Sequence, residues 1–94
     1  MKGFSMHRIT LLIKPDSDAC RAVRRVIELV VTPHVPAVIE EIDITRDPAL
    51  LEKYQDRVPV VLIDGNEKFT GTVDPDKLAQ LFYDELGEKL IGFN

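Results

Sequence analysis

Apolar residues fall in short runs along the chain, and their period switches between that of a strand and that of a helix. His7 to Ile13 is compact and rich in β-branched residues, ends at Lys14-Pro15, and reads as a buried strand. From Ser17 onward the spacing turns helical. Ala19, Val23, Val26 and Val30 share one stripe, which Cys20, Ile27 and Val31 widen. Ser17 suits the N-cap, Asp16 and Asp18 place negative charge where the helix dipole favours it, and Thr32-Pro33 stops the helix. Val35 to Ile44 predicts a second strand, with Val38, Ile42 and Ile44 set against Glu40, Glu41 and Asp43. Asp47-Pro48 opens a short helix to about Gln55, because Asp caps well and Pro is tolerated at the first helical position. Pro59 to Ile63 predicts a third strand, Asp64-Gly65 a hairpin turn, and Glu67 to Phe69 a fourth strand that Gly71 breaks. Asp74 then caps a last helix with the stripe Leu78, Leu81, Phe82 and Leu86, and Leu90, Ile91 and Phe93 are apolar enough to pack back on the sheet.

The expected order is therefore β-α-β-α-β-β-α. A strand–helix–strand start implies a parallel pair joined by a right-handed crossover, and the hairpin adds antiparallel neighbours. The result is an α/β domain: a four-stranded mixed sheet flanked by helices. At 94 residues the chain makes one domain, with a core over about 7–86 and a loose tail or alternative start over 1–6.

Composition narrows the function. A hydrophobic fraction of 45% excludes disorder, and no apolar stretch is long enough to span a bilayer. The net charge of −4 argues against a nucleic-acid surface, and Arg21, Arg24 and Arg25 read as a solvated helix face. The single Cys permits no internal disulfide, so a reducing cytoplasm is the expected location. No Cys/His cluster suggests a metal site, and no glycine pattern suggests nucleotide binding.

The chemistry concentrates at the first strand–helix junction. Lys14-Pro15-x-Ser17-x-x-Cys20 resembles the Lys-Pro-x-Cys-x-x-Cys segment of glutaredoxins, with Ser in place of the first Cys. Arg57-Val58-Pro59 resembles their Thr-Val-Pro loop, and Gly71-Thr72-Val73-Asp74 the Gly-Gly-x-Asp before the final helix. Together with the Tyr54-x-x-Arg57-Val58-Pro59-Val60 stretch, these features are similar to small bacterial glutaredoxin-like proteins of the thioredoxin-fold superfamily. The resemblance implies a thioredoxin-like fold and a cis Val58–Pro59 bond facing Ser17. It also implies a Val58 backbone open to an added thiol peptide. By the same resemblance, Lys14 and Asp74 would bind the two ends of glutathione, Arg57 would flank the groove, and Cys20 would hold the resolving position. No permanently bound cofactor is implied.

The residues also have plain structural readings. Ser17 cannot form a disulfide, and neither His7 nor His34 is placed by a motif to activate it as a nucleophile. As an N-cap it is sufficient. Cys20 lies on the apolar stripe, where burial raises a thiol pKa and makes it inert. Asp16 and Asp18 further disfavour a thiolate, whereas Lys14 and the helix dipole favour one. Three functions stay open: a monothiol oxidoreductase acting through Cys20, a groove holding glutathione or a peptide without turnover, and a non-catalytic domain that works through its surface.

Overall fold

The computed structural model describes residues 6–84. Four strands, β1 (His7–Ile13), β2 (Ala37–Asp43), β3 (Val60–Ile63) and β4 (Asn66–Thr70), are interleaved with helices α1 (Asp18–Val30), α2 (Pro48–Tyr54) and α3 (Pro75–Asp84). The sheet order is β2-β1-β3-β4. β1 and β2 run parallel in the register Ile9↔Ile39, while β3 is antiparallel to both β1 and β4. The hairpin closes through Asp64 and Gly65, both at positive φ (52° and 88°), the combination that a two-residue turn matched to strand twist requires.

Alternation along the strands builds two cores. Ile9, Leu11, Val61 and Ile63 face α1 and α3, where Val23, Ile27, Leu78 and Phe82 close the larger one. Leu12 and Val60 point the other way, onto Ile44 and Tyr54, with Leu50, Leu51 and Val58 packed around them. Phe82 is fully buried, and a side chain of that kind contributes about 1.5–3 kcal/mol by leaving water.

Several positions differ from the periodic reading. Ala19 is exposed, because the stripe that meets the sheet is Cys20, Val23, Ile27 and Val30, one residue further round the helix. The second strand is shorter than Val35 to Ile44. Val35 is buried in the loop before it, and Ile44 opens a 3-10 turn (Ile44–Arg46) that delivers its side chain to the smaller core. Val38 is 47% exposed on the edge strand β2, outside both cores, whereas Ile42 on the same face packs into the smaller one. Arg24 is not merely solvated. It reaches Glu41 on β2 (2.7 Å) and Glu28 one turn on (3.0 Å), and both pairs, Glu41 first, push its guanidinium pKa further up. Leu86, the apolar tail residues and the segment before Met6 lie outside the described residues. No described helix is long and apolar enough to cross a membrane.

Candidate functional site

Three segments meet at one end of the sheet. Leu12 is the partner of Val60, so continuing the antiparallel register sets Ile13 and Lys14 beside Pro59 and Val58. On the other side the Gly71 N–H donates to the Pro59 carbonyl at 2.7 Å, which ties the exit of β4 to the entry of β3. Lys14, Ser17, Cys20, Arg57, Val58, Pro59, Gly71 and Asp74, distant in sequence, thus belong to this one end of the fold.

Ser17 is the N-cap of α1. Its backbone is extended (φ −104°, ψ 119°), and its Oγ accepts from the Cys20 N–H at 3.2 Å. Asp16 just before it takes φ 59°, a left-handed conformation that Asp tolerates better than most residues. Asp18 occupies the first helical turn and pairs with Arg21. Cys20 is a free thiol at 5% exposure, turned inward on the stripe that carries Val23 and Ile27. The hydroxyl is thus committed to the helix start and the sulfur to the interior.

The Val58–Pro59 peptide is cis, and the Pro59 ring is fully buried. Val58 is half-buried, with its side chain packed into the smaller core, and its N–H and C=O take no backbone hydrogen bond from any described residue. Arg57 does not simply line the groove. Its Nη1 donates to Glu67 on β4 at 2.9 Å, its guanidinium lies 4.8 Å from the Tyr54 ring centroid, and its N–H donates to the Tyr54 carbonyl.

Gly71 ends β4 at φ 76°, where no side chain would clash but an L residue would be strained. Asp74 opens α3: its Oδ1 accepts from the Asp76 N–H at 2.9 Å and its carbonyl from the Leu78 N–H. Lys14 is half-buried at the exit of β1. Among the described residues, no group of three or more His, Cys, Asp or Glu side chains could hold a metal ion.

Two arrangements escaped the sequence reading. The Tyr54–Arg57–Glu67 contact spans a hairpin whose register the pattern does not specify. At the opposite end of the sheet, His7 Nδ1 donates to Asp64 Oδ2 at 2.7 Å, Asp64 Oδ1 accepts from the Arg8 N–H, and the His7 ring meets Phe82 edge to face. The Arg8 hydrogen bond, with help from His7, holds the Asp64 carboxyl below the usual carboxylate range despite some desolvation.

Comparison with known proteins decides the family. Residues 8–83 match the model of the family described as Glutaredoxin-like domain (DUF836). The chain belongs to this glutaredoxin-like family. Its fold is thioredoxin-like. A single-residue mutant of the thioredoxin from Halobacterium salinarum NRC-1 superposes with a TM-score of 0.59 at 23% identity, over 82% of this chain and 72% of that one. NrdH-redoxin from Escherichia coli, a glutaredoxin-like protein with a thioredoxin-like activity profile, gives 0.57 at 24% identity, over 79% and 93%. A malarial protein gives 0.58 at 11% identity, over 87% and 99%. No curated protein matches the chain.

Proposed function

We propose that this glutaredoxin-like protein is related to thiol–disulfide oxidoreductases but has lost dithiol exchange, and that the groove along Val58 holds an extended thiol peptide, glutathione being the simplest. The observation that carries this reading is the pairing of Ser17 and Cys20. The position from which a thiolate would attack holds an alcohol that caps α1, and the remaining sulfur is 5% exposed. An alcohol cannot form a disulfide, and a thiolate must be reached to react. A monothiol reaction through Cys20 is disfavoured on the same ground.

The binding half of the proposal rests on main chain. Among the described residues Val58 presents an N–H and a C=O without a backbone partner, the arrangement that strand addition uses. In this reading Lys14, which follows β1, would take a carboxylate, and Asp74, which caps α3, an amino-acid end. We place this activity in a reducing cytoplasm, consistent with a single free Cys.

The test is a titration of isotope-labelled protein with reduced glutathione. Amide shifts at Lys14, Val58 and Asp74 at millimolar ligand are expected. Silence at all three positions removes glutathione as the ligand and favours the alternative, a non-catalytic domain that meets protein partners through its surface.

A further inference from the structure

We propose that Arg57 is a positioning residue: clamped between Tyr54 and Glu67, it holds the Val58 main chain in the orientation that strand addition needs. The proposal rests on the groove reading above and assigns Arg57 a role other than ligand contact.

The geometry is specific. Arg57 follows α2 and precedes the unpaired Val58 peptide, so any swing of its backbone moves the docking edge directly. Three contacts restrain it. Its N–H donates to the Tyr54 carbonyl at 2.8 Å, which fixes the chain to the end of α2. Its guanidinium covers the ring of Tyr54, itself buried in the smaller core against Leu12, Ile44 and Val60. Its Nη1 reaches Glu67, and Glu67 is the partner of Leu62 across the hairpin, so the contact joins the connection between α2 and β3 to the edge strand β4. Beyond Val58 the chain is fixed again, where the Pro59 carbonyl accepts from the Gly71 N–H. Val58 is thus a short unpaired step between two anchored points.

A guanidinium can fill this role because it stacks on a ring and donates to a carboxylate in one geometry. A smaller side chain would leave the N-terminal anchor to a single backbone hydrogen bond. The pair is part exposed, with Arg57 at 41% and Glu67 at 35%, so it adds little to global stability and its variants fold. Its effect is local.

The experiment measures the backbone order parameter of Val58 in wild type, Arg57→Ala, Glu67→Ala and the double variant, followed by glutathione titration of each. The clamp predicts a rigid Val58 in wild type, near 0.85, and a clear drop in both single variants. The double variant should fall no further than Arg57→Ala, because both changes remove one contact. Losing a preorganised edge should weaken glutathione about two- to tenfold, with the shifts at Lys14 and Asp74 retained. An unchanged order parameter in Arg57→Ala overturns the clamp whether or not glutathione binds. A rigid wild type that loosens in the variants, with no glutathione shifts in any form, upholds the clamp and sinks only the ligand assignment.

Discussion

Asp64 carries more of the fold than an exposed turn residue usually does. It sits at φ 52° in the hairpin, accepts from the Arg8 main chain and pairs with His7, so one carboxylate joins the start of β1 to the β3–β4 turn. Its folded pKa lies below the ordinary value near 4, and the sign of the consequence follows. The unfolded chain takes up this proton at a higher pH than the folded chain does. The contribution is therefore complete above about pH 4 and lost as pH falls through the folded value. Asp64→Asn should flatten that part of the acid limb in denaturant titrations run at a series of pH values. Asp43, whose carboxyl is lowered chiefly by the Thr45 hydroxyl, keeps the same sign and leaves a residual slope in that variant. An acid limb as steep in Asp64→Asn as in wild type would contradict the assignment. The hairpin turn itself was legible, since Asp-Gly between apolar runs demands it. The His7 partnership was not, because nothing local in the sequence joins residues 57 positions apart.

Helix α1 shows, at the level of one element, a start whose residues all have structural work to do. Ser17 supplies its N-cap, Asp18 its first-turn acid and Cys20 the start of its inward stripe. Replacing Ser17 by Ala removes the acceptor for the Cys20 N–H and should cost about 1 kcal/mol, read as a lower denaturant midpoint at unchanged slope. A Ser17→Ala protein as stable as wild type would mean that the hydroxyl serves something other than the cap. The cap and the helix start could be read directly from the sequence. Ala19 could not be placed correctly, because an apolar residue at the margin of a 3.6-residue stripe is sorted only by where the sheet lies. The same limit applied to Val38. Alternation grouped it with Ile42 and Ile44, but its strand is at the edge and it lies outside both cores. Ile44 shows the reverse case, buried as its character demands but delivered by a 3-10 turn instead of a strand.

At the scale of the whole molecule, the order of elements, the mixed sheet and the gathering of the Lys14, Val58 and Gly71 segments follow from hydrophobic period, crossover handedness and turn chemistry acting together. Those constraints act on the fold alone and are the same whether Ser or Cys stands at position 17. Contacts that cross between elements, such as Arg57 with Glu67 and Arg24 with Glu41, depend on register and were invisible until the sheet was assembled. Cys20 depends on the assembled molecule as well, since it is the fold that leaves it only 5% exposed. The direct test is the rate at which a thiol-alkylating reagent modifies Cys20 at neutral pH in native protein, set against the urea-unfolded chain. A thiol that reacts only through opening of the core should be slowed by roughly 100-fold or more in the native state. A native rate equal to the unfolded rate would show an accessible nucleophile and contradict the loss of thiol chemistry proposed for this glutaredoxin-like protein.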